Sequence, residues 1–161
     1  MFFILSPDIF AQQTKEFKSE AWDYSVKYPA NYQLKQLGKV VVFVAPSPDK
    51  KFDFAENVNI AAEVLQPPVP GLEEFFKNAK AKLSADPGVK ILEEKKDKLA
   101  GVDSYKIVYS SKQKKAGFKL LQVIAIRKSR VYVVTYTALT EQYDRGLSQA
   151  NSILRSFKFT D

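Results

Sequence analysis

Apolar and polar positions alternate along most of this chain, and apolar residues take helical spacing in only two places. Residues 22–28 put Trp22, Tyr24, Val26 and Tyr28 on one face, the two-residue period of a half-buried strand. Pro29-Ala-Asn31 turns the chain, and a short second strand begins at 32–34. Residues 39–45 are almost continuously apolar, so this strand is expected to lie centrally with both faces covered. Pro46 and Pro48 end it, because proline cannot donate to a ladder. Residues 49–54 read as an exposed connection. Residues 57–64 alternate again, with Val58, Ile60, Ala62 and Val64 inward, and Gln66-Pro-Pro-Val-Pro-Gly71 interrupts regular structure.

The first helix is predicted over 72–84, where Leu72, Phe75, Phe76, Ala79 and Leu83 form one stripe. Glu73 and Glu74 in its first turn and Lys77, Lys80 and Lys82 further on suit the helix dipole, and Asp86-Pro-Gly88 stops it. A stripe of this kind is expected to pack on a sheet. A meander follows. Residues 89–97 form a strand whose charge run, Glu93 to Lys98, marks an exposed or edge position. Leu99 to Asp103 makes a turn into a strand over 104–110, alternating around Tyr105, Ile107 and Tyr109. A lysine-rich hairpin at 112–117 leads to 118–126, which is apolar on both faces and is placed centrally. A polar turn at 127–130 returns the chain through a strand over 131–138. Thr140 is the predicted N-cap of the second helix, with Tyr143, Leu147, Ala150 and Leu154 as its stripe, and Phe157 and Phe159 close the domain against the core. Short connections and two-sided strands together predict an α+β fold. Its form is a three-layer sandwich, with a central, mainly antiparallel sheet flanked by helices on both faces.

Length and composition narrow the functional classes. The 161 residues suffice for one domain with a real core, assigned to 17–161. No run approaches the roughly 18 apolar residues that a membrane helix needs. Cysteine and histidine are both absent, which removes disulfides, thiolate nucleophiles, imidazole bases and soft-metal sites together. With no catalytic constellation visible, the expectation is a protein that is not an enzyme and carries no cofactor.

The first sixteen residues read as a leader remnant or a flexible N-terminus. Met1-Phe-Phe-Ile-Leu5 is apolar and Ala11 suits the position before a cleavage site, but a basic n-region is missing. The leader reading places the mature protein outside the cytoplasm.

Twenty-five basic residues against 18 acidic ones give a formal charge of +7, a balance that attracts acidic proteins, anionic headgroups or nucleic acid. Lys112, Lys114, Lys115 and Lys119 gather at one turn of the meander, and Arg127, Lys128 and Arg130 at the next. Consecutive turns of a meander lie at opposite ends, so two separate basic spots are expected. That geometry disfavours nucleic acid, which wants a continuous basic track with stacking aromatics. The alternative for these lysines is a solvated turn. Asp49, Asp53 and Glu56 cluster loosely enough to hold a hard cation, yet they lack the glycine-pivoted loop of a calcium site. A second functional reading is a small ligand carrier or hydrolase with a cleft beneath the proline-rich segment 66–71.

Several of these pieces resemble the PsbP-like family, named for an extrinsic protein of photosystem II. They are Tyr28-Pro29, Leu99-Ala-Gly-Val-Asp-Ser-Tyr105, Val131-Tyr-Val-Val-Thr-Tyr-Thr-Ala138 and Ser156-Phe-Lys-Phe159, within a likeness running from about Ala21 to Phe159. The resemblance implies a fold similar to that of a Ran-binding nuclear-transport protein and a habit of docking onto other proteins. Photosynthetic members bind the lumenal face of photosystem II and help retain calcium and chloride, while others are lipoproteins or secreted proteins. It therefore implies an extracytoplasmic monomer, peripheral to a membrane, that binds an acidic protein surface or a membrane-associated complex. Calcium enters by this resemblance alone. With no histidine and no lipoprotein cysteine here, family metal contacts through histidine and a lipid anchor do not carry over.

Overall fold

The computed structural model describes residues 12–161. In chain order the elements are β1 (Thr14–Ser19), β2 (Tyr24–Pro29), β3 (Gln33–Leu37), β4 (Val40–Val44), β5 (Asn57–Val64), α1 (Leu72–Ser84), β6 (Val89–Leu99), β7 (Val102–Gln113), β8 (Ala116–Arg127), β9 (Arg130–Leu139), α2 (Tyr143–Ser156) and β10 (Lys158–Phe159). Seven strands form one sheet in the order β3-β4-β5-β9-β8-β7-β6, and β1-β2-β10 form a second, smaller one. Among the described residues the pairings are antiparallel throughout, so the fold there is mixed α+β with mainly antiparallel sheets and two helices.

Alternation within β7, β8 and β9 builds two cores from the same strands. Ile107, Tyr109, Ile124 and Val131 are buried with Phe76 of α1, and Leu72, Phe75, Ala79 and Leu83 pack around them. The intervening positions Val108, Leu121, Val123, Tyr132, Val134 and Tyr136 are buried with Tyr143, Ala150 and Ile153 of α2 and with Tyr24, Val26 and Tyr28 of β2. Successive side chains of a strand point to opposite faces, so each strand must be apolar at both parities to serve both cores. The apolar residues on both faces of 118–126 follow from this. α1 packs on β6, β7 and β8, whereas α2 packs mainly on β2 and β9. The face of β6 and β7 opposite α1 therefore lies beside α2 rather than beneath it.

Three expectations change. The aromatic strand at 24–29 does not join the main sheet; it is the centre of the small one, paired with β1 on one side and β10 on the other. Aromatics of β2 and β9 hold the tail in place: Tyr24 stacks on Phe157 at 5.1 Å, and Tyr132 meets Phe159 edge-on at 5.1 Å. Thr140 is not an N-cap. Its N–H donates to the Gly117 carbonyl, prolonging the β8–β9 ladder, so the helix starts after a turn with Gln142 in the N-cap position. Thr14 to Glu16, assigned with the first sixteen residues, form the start of β1, while the leader reading of residues 1–11 lies outside the described residues. Among the described residues no helix is long and apolar enough to cross a membrane.

Candidate partner-binding surface

The hairpin between β7 and β8 pairs Gln113 with Ala116, which leaves Lys114 and Lys115 as a two-residue turn. Lys114 adopts φ 53°, as the primed turns of tight hairpins require at their first central position. Both turn lysines are exposed, as is Lys112. Lys119, further along β8, is half-buried with its ammonium 4.4 Å from the centre of the Tyr143 ring. Burial, with Glu93 and Asp144 adding to it, raises the Tyr143 phenol to about 12, so this ring stays neutral beneath the lysine.

The 49–54 loop completes this end of the molecule. Asp49 and Phe54 form a β-bridge, and the Asp49 carboxylate accepts the N–H groups of Lys51 at 2.9 Å and Phe52 at 3.1 Å. The same carboxylate accepts from Gln142 Nε2 at 3.2 Å, tying the loop to the start of α2. The Phe54 ring meets Phe118 edge-on at 4.9 Å, tying the loop to β8 as well. These ties set Lys51 and Phe52 across from Lys114 and Lys115, and with Phe118 they line a concavity of about 510 Å³. Lys51 and Phe52 were missed in the sequence because tertiary contacts alone bring them to the hairpin.

Arg127, Lys128 and Arg130 occupy the other end of β8, as expected for consecutive turns. Here the chain supplies its own counter-ions. Arg127 and Lys128 both pair with Asp161, and Arg130 Nη1 donates to Asp23 Oδ2 at 2.8 Å. Hydrogen bonds from Lys128, then Arg127, hold the Asp161 carboxyl at about 2. The two arginines also lie over rings, Arg127 over Phe159 at 4.6 Å and Arg130 over Trp22 at 5.5 Å. By contrast, among the described residues Lys50, Lys51, Lys112, Lys114, Lys115 and Lys119 have no carboxylate within 4.0 Å. The two basic turns are thus unequal: one is neutralised from within and the other is open.

The open turn does not stop at the hairpin. Val108 lies in the core with α2, so Lys106, Ser110 and Lys112, at the same parity of β7, share its face. The β6 residues paired with Lys106 and Ser110 are Lys95 and Lys90. Lys112 lies six positions along the strand from Lys106, a span of about 20 Å. Glu93 is the acid set into this stretch, 3.6 Å from Lys106 and 3.9 Å from Lys95. A basic strip therefore runs from the hairpin tip along the flank of α2.

The remaining candidates have other roles. Asp49 caps its own loop, and Glu56 accepts a 3.0 Å hydrogen bond from the Tyr136 hydroxyl under the first turns of α2. Burial, then the Glu56 charge, pushes the Tyr136 phenol well up, and the same two causes take Tyr32 to about 12. No group of three or more carboxylates, histidines or cysteines converges among the described residues, so Asp49, Asp53 and Glu56 do not come together as one cluster. Next to the proline-rich segment, a cavity of about 230 Å³ includes Glu73, Asp97, Asp103 and Tyr105. Asp97 accepts the Lys98 N–H, and a hydrogen bond from the Lys98 ammonium lowers the Asp103 carboxyl, so Asp103 is not poised to donate a proton.

Comparison with known proteins agrees with this architecture. A family profile described as PsbP-like protein matches residues 8–159. No curated protein sequence matches the chain. Among solved structures, cyanobacterial PsbP (CyanoP) from Synechocystis sp. PCC 6803 superposes with a TM-score of 0.68 at 12% identity, covering 96% of each chain. LpqN of Mycobacterium tuberculosis, a protein involved in cell envelope biogenesis, superposes with a TM-score of 0.62 at 14% identity, covering 94% of this chain and 86% of that one. The Ran-binding protein Mog1p of Saccharomyces cerevisiae does so at 0.59 and 10% identity, over 94% of this chain and 97% of that one. At these identities the likeness is one of fold. With the family profile spanning nearly its whole length, the chain belongs to the PsbP-like family.

Proposed function

We propose that this chain is a non-catalytic docking or assembly protein that works outside the cytoplasm and binds the acidic surface of a membrane-associated complex. In a photosynthetic source that complex would be of the photosystem II type. Family membership supports a protein-binding role, and so do neighbours described as a cyanobacterial PsbP and a Ran-binding protein. Residues 17–161 act as one domain in this reading. Its three-layer form, with helices on opposite faces of a central sheet, is supported by the separate cores that Phe76 and Ile153 occupy.

The observation that carries the proposal is the inequality of the two basic turns. With Asp161 and Asp23 at one end and no carboxylate partner at the other, the excess positive charge of the two turns is concentrated at the hairpin. Unpaired lysines beside half-buried aromatics are ready to meet carboxylates on a partner, and such contacts steer encounter and set specificity. The test is capture from native membranes, with identification of what is captured, in low and high salt. Lys114→Glu/Lys115→Glu should weaken capture about tenfold or more, as rim and interface charge reversals do. Capture indifferent to both salt and charge reversal would overturn the proposal.

A further inference from the structure

Resting on this docking role, we infer that the concavity between the 49–54 loop and the β7–β8 hairpin accepts a short acidic peptide segment of the partner, anchored by one aromatic side chain. Three features lead there. The lining carries Lys51, Lys114 and Lys115 and no carboxylate, so its own charges repel and are relieved by an anionic occupant. Phe52 and Phe118 are half-buried on its walls and belong to neither core, leaving apolar surface that an inserted side chain would cover. Its volume, about 510 Å³, leaves room for one aromatic side chain in a concavity open to solvent.

Shape decides between a peptide and a lipid surface. A bilayer presents a plane of headgroups, which meets protruding cations and leaves a concavity unfilled. A peptide segment can place a ring between Phe52 and Phe118 while its flanking carboxylates reach the lysines. The lysine ammonium over the Phe52 ring, at 4.9 Å, shows that cation and aromatic already share this wall. An aromatic anchor with acidic neighbours therefore matches both components of the lining, and an anion without a ring matches only one.

Two fluorescein-labelled heptapeptides test this on the whole chain, one of seven glutamates and one with phenylalanine at the centre of six glutamates. Fluorescence anisotropy at low salt should show the phenylalanine peptide binding about tenfold tighter. Phe52→Ala should erase that preference and leave the weaker binding of heptaglutamate unchanged; Phe52 lies outside both cores, so this variant keeps its fold. Lys114→Glu/Lys115→Glu should weaken both peptides. Equal affinity for the two peptides, or a preference that survives Phe52→Ala, overturns the inference. So does binding to vesicles of phosphatidylserine and phosphatidylcholine with no binding to either peptide. If native-membrane capture falls with the lysine reversal but is untouched by Phe52→Ala, the docking role stands and the peptide groove does not.

Discussion

At Gly146 the absence of a side chain is what lets Tyr136 reach Glu56. A Cβ placed there would overlap both the Glu56 carboxylate and the Tyr136 hydroxyl, in a part of α2 that is buried. The Tyr136 oxygen also lies 3.1 Å from the Tyr143 carbonyl, so one phenol of β9 links Glu56, the residue before β5, to the first turn of α2. Gly146→Ala should therefore destabilise the protein by about 2 kcal/mol, the usual cost of forcing atoms into a packed site. For a chain of this size that is a fall of roughly 4–8 °C in Tm. Thermal unfolding followed by circular dichroism checks it, and an unchanged Tm would mean that the carboxylate moves aside freely. The glycine is plain in the sequence, but its reason is not. Only the packing of α2 over Glu56 and Tyr136 shows what it accommodates.

At the scale of elements, legibility tracked how much apolar signal each one carries. Helix α1 could be read in full because its stripe, acidic first turn and Pro-Gly stop all agree. Its anchor is Phe76, which stacks on Tyr105 with ring centres 4.3 Å apart and planes within 6°. No side chain caps its N-terminus, so packing rather than capping holds it. Phe76→Ala should cost about 3 kcal/mol and lower amide exchange protection in 72–84 before it does so in β8 and β9. A loss under about 1 kcal/mol would contradict this account of α1. Strand β1 was invisible by the same logic. Five of its six positions are polar, Phe17 is its one apolar residue, and hydrogen bonds to β2 account for its place. Thr140 misled for a different reason, since a good capping residue was already committed to the adjoining ladder.

Across the whole molecule, the unequal basic turns are what relate the fold to a role. Sequence spacing located both turns and placed them apart. It did not show that Asp161 and Asp23 would return to one of them, because those partners arrive through the C-terminal tail and the small sheet. Nor did it show that Lys106, Lys95 and Lys90 extend the other, which depends on strand register. The central claim is that binding resides at the open end. The most direct measurement is the affinity of the membrane partner, once captured, for two variants with equal changes in charge. One is Lys114→Glu/Lys115→Glu and the other is Arg127→Glu/Lys128→Glu, with unfolding curves recorded for both. The account expects the first to lose affinity by about tenfold or more while keeping its stability. It expects the second to keep its affinity and to lose stability, because Asp161 is left facing two glutamates. Equal losses of affinity, or a larger loss in the second variant, would contradict it.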